Sequence, residues 1–304
     1  MALIEMLKKV NAIVEEFLRT RSLIRISYRV KSRDFIMLPP LSSNLLKAAV
    51  ASSEDLHNIW EMYAESKRPR KVLYKALRLP GSGGRLVALE GKKGLLHMDP
   101  DKFYEAEIVL ISDSNALMSY LPKPYVSVKT PYGEVELEVT TIDIIREVPA
   151  STAGSVRVRF LTPTILSKKI ATPPWLSKRA SALKDSYSLL PTPGLLAGSV
   201  LKNLLEHLGE IGKKDQRVPY MALRFFDLFV EEVDHELKPV TVLLGKDDKG
   251  NMRRGRGIIG WINYRAMNEG VAGAFVRLLK IAEIVGVGKS RGIGLGEISL
   301  FLDS

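Results

Sequence analysis

Two short stretches limit what this chain can fold into: "LIRISYRV", residues 23–30, and "SVRVRF", residues 155–160. Both alternate. In the first, Ile24, Ile26, Tyr28 and Val30 fall on one side of an extended chain and Arg25, Ser27 and Arg29 on the other. In the second, Val156, Val158 and Phe160 oppose Arg157 and Arg159. A period of two with one apolar face belongs to a half-buried strand. Each stretch opens a similar succession of elements.

After the first strand, "LPPLSSNLLKAAVA" reads as a helix start, with Pro39 and Pro40 before it and Ser42 or Ser43 placed to cap the free amides. Leu45, Leu46, Ala49 and Val50 share one side of that helix, and Asn44 and Lys47 lie on the other. The helix is expected to break near Ser52 and Ser53 and to run on through "LHNIWEMYAE". The acid-free basic run "KRPRKVLYKALR" leads into a strand, "YEAEIVLIS" is a further strand, and "DSNALMSYL" is a short helix. "YVSVKTPYGEVELEV" is a hairpin turning at Pro131 to Gly133. The second half repeats the order. "LPTPGLLAGSVLKNLLEHLG" supplies a helix, and "PVTVLL" and "GIIGWINYR" flank the basic hairpin "GKDDKGNMRRGR". A helix capped by Asn268 follows, with Phe275, Leu278, Leu279, Ala282 and Val285 inward, Gly286 at its end and "EISLFL" as the last strand. Two βαββαβ units predict an α+β chain of tandem ferredoxin-like (RRM-like) domains, at 22–150 and 151–304. The halves share pattern, not letters.

Ahead of them, residues 1–21 carry Leu3, Leu7, Val10, Val14 and Phe17 at helical spacing. This extra amphipathic helix needs cover, from its own chain or from a second subunit in a homodimer. Lys8, Lys9, Glu15, Glu16 and Arg19 interrupt it, so it reads as neither signal peptide nor membrane span. The expectation is a cytoplasmic protein with no membrane partner.

A net charge of +11 over 304 residues points to a polyanionic partner. With no cysteine, disulfides, thiolate metal sites and a cysteine nucleophile are excluded. His57, His97, His207 and His235 lack ligand spacing, so neither metal nor cofactor is expected. The tail "GVGKSRGIGLGEI" imitates a phosphate-binding loop in Gly288, Lys289 and Ser290 but has Glu283 where the signature needs glycine, and a helix leads into it instead of a strand. The dinucleotide pattern fails as well, because Arg291 follows where glycine is required. Gly286, Gly288, Gly292, Gly294 and Gly296 still permit positive φ and close approach of backbone amides to phosphates, with Lys289 and Arg291 adding charge.

In its letters, "LLKIAEIVGVGKSRGIGLGEI" resembles the C-terminal signature of the CRISPR-associated repeat-RNA endoribonucleases, in the repeat-associated mysterious protein (RAMP) superfamily. "VRFLTPTIL", "LLPTPGLLAGSVLKNLL" and "GIIGWINYR" fit the same family, most specifically from Val156 onward. The resemblance implies metal-independent cleavage of CRISPR repeat transcripts, with the 2'-hydroxyl attacking phosphorus to leave a 2',3'-cyclic phosphate and a 5'-hydroxyl. Such chemistry needs a base, cations for the phosphorane and an acid for the departing oxygen. Many members use a histidine near the end of the first helix. Here the nearest, His57, falls short of that position, which lies closer to Tyr63. Archaeal members without the histidine use lysines of the first helix, and "LPPLSSNLLK" resembles their helix start. That match places Lys47 as the catalytic lysine, Asn44 where a second lysine would stand, and Arg68 at a further basic position, with Lys67 as its alternative. Tyr63 and His57 are weaker candidates. RNA contacts are expected from Arg25, Arg29, Arg70, Lys71, Arg253, Arg254, Arg256, Gly286, Gly288, Lys289, Ser290 and Arg291. The competing reading is a noncatalytic RNA-binding subunit of a CRISPR effector complex. A generic RNA-recognition protein ranks below both, because neither opening strand carries the paired aromatics that stack bases.

Overall fold

The structure is a computed structural model, and it describes residues 3–66, 69–82, 84–91, 95–113, 120–149, 153–176, 186–209, 217–246, 250 and 252–303. Helix α1 (Leu3–Thr20) leads directly into strand β1 (Arg21–Ser32). The first half continues with β2 (Ile36–Met37), α2 (Ser43–Ser52), α3 (His57–Glu65), β3 (Val72–Tyr74), β4 (His97–Met98), β5 (Tyr104–Asp113), β6 (Tyr125–Thr130) and β7 (Gly133–Ile145). The second contains β8 (Ser155–Thr164), β9 (Leu166–Ser167), β10 (Tyr187–Ser188), α4 (Pro193–Leu208), α5 (Arg217–Phe229), β11 (Val230–Lys246), β12 (Met252–Ala266), α6 (Glu269–Val285) and β13 (Ile298–Asp303).

Both main sheets are antiparallel and share one topology. The first has the order β3-β5-β1-β7-β6 and the second β11-β12-β8-β13. Read by position within each half, the strands lie second, third, first, fourth in both, with β6 added at the edge of the first. This is the tandem ferredoxin-like arrangement expected from the alternating strands. The first sheet draws all its strands from residues 21–145 and the second from 155–303.

The break in the first helix falls at Ser53, which is extended (φ −103°, ψ 126°) and separates α2 from α3. Most of "DSNALMSYL" lies outside the described residues. Helix α5 goes beyond the pattern read from sequence. Pro219 resembles a breaker, but it sits in the helix's first turn, where no intrahelical donor is lost. Val218, Pro219, Ala222, Leu223 and Phe226 are its buried stripe.

Helix α1 is covered by its own chain. Met6, Val10, Val14 and Phe17 join a core that also contains Leu196, Leu204, Phe226, Phe275 and Leu279 of the second half, together with Leu23, Leu73, Val109 and Ile111 of the first sheet. The stripe that could have called for a second subunit is therefore satisfied within the monomer. Helices α2 and α3 cover the other face of the first sheet, over Ile26, Tyr28, Tyr74 and Ile108. A small third core, built on Leu41, Ile165, Val242 and Leu295, lies between the halves.

Candidate catalytic site and nucleic-acid interface

The glycine-rich tail closes a compact loop between α6 and β13. Gly286, Gly288, Gly294 and Gly296 all have positive φ, as does Ser290 at 62°, the one such non-glycine among the described residues. The amides of this loop are mostly spent on the protein itself. Val287 N–H donates to the Gly296 carbonyl (2.8 Å), Lys289 N–H to Ile165 (2.9 Å), Gly296 N–H to Pro163 (3.2 Å) and Gly288 N–H to Ser199 Oγ (3.3 Å). This corrects the expectation that Gly286 and Gly288 free amides for phosphate. Gly288 instead allows the chain to pass against the Ile165 carbonyl, where a Cβ would clash.

Arg291 requires a second correction. Its guanidinium turns inward and donates to Asn203 Oδ1 and to the Val285 carbonyl. Burial brings its pKa down to about 10, so it is still charged at neutral pH, with its guanidinium engaged by the protein. His207 lies in the same buried region, and desolvation, followed by the charges of Arg291, Arg21 and Lys71, lowers its imidazole to about 3. It is a neutral core histidine. Lys289, by contrast, places Nζ over the Tyr187 ring, 5.1 Å from its centre.

The loop docks on the first half. Ser43 Oγ donates to the Ile293 carbonyl (2.6 Å), and Ser42 Oγ accepts from Leu77 N–H (2.9 Å). One or other of these hydroxyls was expected to cap α2, yet neither does; they tie the helix start to the loop and to the segment after β3. Gly292 abuts the Arg70 side chain, and Gly294 abuts Ser43 and the Tyr74 carbonyl.

Beside this contact lies a stacked cluster. Lys47 Nζ is 4.7 Å from the centre of the Tyr63 ring and Arg70 Cζ is 4.6 Å from it. Trp60 stacks on the same ring at 5.6 Å and Tyr74 tilts against it at 5.3 Å. Two cations on one aromatic are each worth roughly 0.5–2 kcal/mol and hold long side chains in fixed places. Arg70 Nη1 also donates to the Tyr63 carbonyl (3.0 Å) and to Ser66, so it closes the C-terminus of α3 as well as carrying charge toward the loop. Burial and the neighbouring Tyr63 and Tyr28 push the Tyr74 hydroxyl well above its ordinary value.

Lys47 and Asn44 lie about 60° apart around α2, on the same side, and both are partly exposed. His57 begins α3, about 120° around the helix from Tyr63, with Nε2 3.1 Å from Glu61 Oε1 at an exposed position. It stands apart from the Lys47, Tyr63 and Arg70 cluster. Lys67 and Arg68 lie outside the described residues. Lys71 is exposed at the start of β3. Arg25 and Arg29 sit on the sheet face away from α2 and α3, and Arg29 is paired with Glu138 at 3.2 Å. Arg253, Arg254 and Arg256 are exposed on β12, with Arg254 reaching Glu90 at 3.3 Å. Ser43 and Tyr187 were missed from sequence: a paired serine at a helix start reads as a cap, and a lone tyrosine gives no signal. Among the described residues no His, Asp and Glu cluster could hold a metal ion, and no helix is long and apolar enough to cross a membrane.

Fold and site together define a tandem ferredoxin-like protein in which the glycine-rich loop of one half closes on the start of α2 in the other. The Cas6 N-terminal domain model matches residues 24–145 and the CRISPR-associated endoribonuclease Cas6 model matches residues 158–298. The chain belongs to the Cas6 family of CRISPR-associated endoribonucleases. Two relatives from Saccharolobus solfataricus, CRISPR-associated endoribonucleases Cas6 1 and Cas6 2, are each 29% identical to it, over 290 and 293 residues, covering 91% of this chain and 96% of theirs. Among solved structures, Thermus thermophilus Cas6 superimposes with a TM-score of 0.56 at 17% identity, over 93% of this chain and 98% of that one. A chain of a Cas6-RT-Cas1–Cas2 complex does so with a TM-score of 0.52 at 12% identity, over 93% of this chain and 29% of that one. At these identities the two structures speak for the fold alone.

Proposed function

We propose that this protein cuts CRISPR repeat transcripts without a metal ion, and that Lys47 acts directly in the cut. The observation that carries this reading is the fixed placement of Lys47 and Arg70 on the Tyr63 ring, beside the contact between the glycine-rich loop and α2. In the reaction the 2'-oxygen loses its proton and bonds to phosphorus, the bond from phosphorus to the 5'-oxygen breaks, and that oxygen takes up a proton. The products are a 2',3'-cyclic phosphate and a 5'-hydroxyl. Lys47 is suited to stabilise the phosphorane or to protonate the leaving oxygen, and Tyr63 serves as the shelf that positions it. Asn44, on the same helix side, is placed to hydrogen-bond the substrate. Arg68 or Lys67 supplies the further cation. Lys289, Ser290, Lys71 and the β12 arginines hold the flanking phosphates.

Purified wild type, Lys47→Ala and His57→Ala are incubated with a CRISPR repeat RNA in EDTA, and the product ends are identified. We expect a single cut leaving a cyclic phosphate, slowed about 100- to 10,000-fold in Lys47→Ala and within about threefold of wild type in His57→Ala. Tight binding without cleavage by wild type across several repeats would instead assign the chain to the noncatalytic subunits of effector complexes. Loss of the cut in EDTA and its return with magnesium would overturn the metal-free mechanism.

A further inference from the structure

The second half carries a cavity away from the Lys47 cluster that nothing in the reaction uses. It has a volume of about 430 Å³ and is lined by Pro174, Trp175, Arg217, Tyr220 and Met221. Trp175, in a short 3-10 turn ahead of α4, is 76% exposed. The Tyr220 ring on α5 stands nearly perpendicular to it, with centres 6.0 Å apart. An indole this exposed on the surface of a folded chain offers a flat apolar face to a partner.

Charge selects the partner. No described lining residue is acidic, and Arg217 stands at the wall. A cavity beside α3 is lined by Glu61 and Glu65 as well as by Lys71, and so presents a mixed rather than a purely cationic wall. Along the chain, the Trp175 segment is linked to the glycine-rich loop. Lys289 N–H bonds to Ile165, strand β9 follows at once and pairs with β10, and Lys289 lies over Tyr187 of that strand. The chain then runs through Lys168 and Lys169 to Trp175. A cationic path between the glycine-rich loop and an aromatic slot matches the way proteins hold single-stranded nucleic acid, by tracking the backbone and stacking its bases.

We propose that Trp175, Tyr220 and Arg217 form a slot for one unpaired base of the RNA that the protein processes, stacked on the Trp175 indole with its phosphate toward Arg217. The proposal rests on the reading that the chain acts on RNA, and it adds a second anchoring point away from the cut. Base stacking on an aromatic is worth about 1–3 kcal/mol by alanine substitution, or roughly 5- to 150-fold in affinity.

The test uses the full-length protein and a fluorescently labelled CRISPR repeat RNA. Dissociation constants from anisotropy and single-turnover cleavage at saturating RNA are compared for wild type, Trp175→Ala and Trp175→Phe. We expect about a tenfold weaker complex for Trp175→Ala, recovery to within about threefold for Trp175→Phe, and unchanged cleavage rate and thermal midpoint in both. Equal affinity for wild type and Trp175→Ala overturns the slot. So does a Trp175→Ala protein that changes oligomeric state while binding RNA normally, which would make the patch a protein contact. A wild type that cuts RNA indifferently to Trp175 sinks the slot alone. Trp175-dependent binding with no cutting sinks the endonuclease reading alone.

Discussion

Lys289 and Arg291 are two residues apart in one loop and have opposite fates. Ser290 between them adopts a left-handed conformation and reverses the chain. Both are partly exposed, but Lys289 lies over Tyr187, whereas the Arg291 guanidinium bonds to Asn203 and the end of α6. A buried guanidinium with its partners in place is costly to remove because those partners stay behind unsatisfied. Arg291→Ala should therefore lose about 2–4 kcal/mol of stability in urea denaturation. Lys289→Ala should cost less stability than Arg291→Ala, about 0.5–1 kcal/mol for its contact with Tyr187, but weaken repeat-RNA binding and reduce its salt slope by about one. Equal loss of stability in the two variants would show that Lys289 is structural as well. Sequence supplied both cations and their proximity to glycines. It could not say which pointed outward, since a loop has no periodicity to sort its side chains.

At the scale of elements, glycine spacing was legible but its reason was not. Gly296 and Gly209 share a positive φ, 73° and 74°. A Cβ on Gly209 would meet nothing within 4 Å, whereas on Gly296 it would run into the Val287 carbonyl across the neck of the loop. Gly209→Ala should cost about 1 kcal/mol, the price of a left-handed alanine. Gly296→Ala should cost more than about 3 kcal/mol, because backbone must move as well. Thermal denaturation of the two variants separates conformation from collision, and equal costs would mean the loop adjusts freely. The strands β1 and β8 and the helices α2, α4 and α6 were readable because each has one buried face and a regular period. Helix α5 was hidden by Pro219, and β3 is so short that its pairing with β5 decides it.

At the scale of the whole molecule, the two halves are held by more than a linker. Arg85 donates to Glu297 in an ion pair almost out of solvent, and Glu107 lies 3.8 Å from the same guanidinium. Lys75, buried nearby, has its ammonium pKa lowered by desolvation. Glu90 N–H bonds to Thr241 across the same boundary (2.9 Å), and Ser43 reaches Ile293. One core meanwhile joins α1, the second-half helices and the back of the first sheet. Unfolding should thus be a single calorimetric transition. Arg85→Ala should lower stability by about 3–5 kcal/mol by stranding Glu297, and pairing Arg85→Met with Glu297→Leu should restore much of it. Two separate transitions in the wild type would refute this joint core.

Local pattern alone determined the α+β class, the two βαββαβ units, the amphipathic first helix and the family-specific tail, because alternation, helical spacing and glycine punctuation are properties of short segments. Tertiary structure decided that α1 packs on its own chain, that Ser43 ties α2 to the loop of the other half while Ser42 ties it to the segment after β3, and that His57 pairs with Glu61 away from Tyr63. It also set Lys47 and Arg70 against one ring and turned Arg291 inward. These outcomes depend on contacts between residues far apart in the chain, and no local period encodes them.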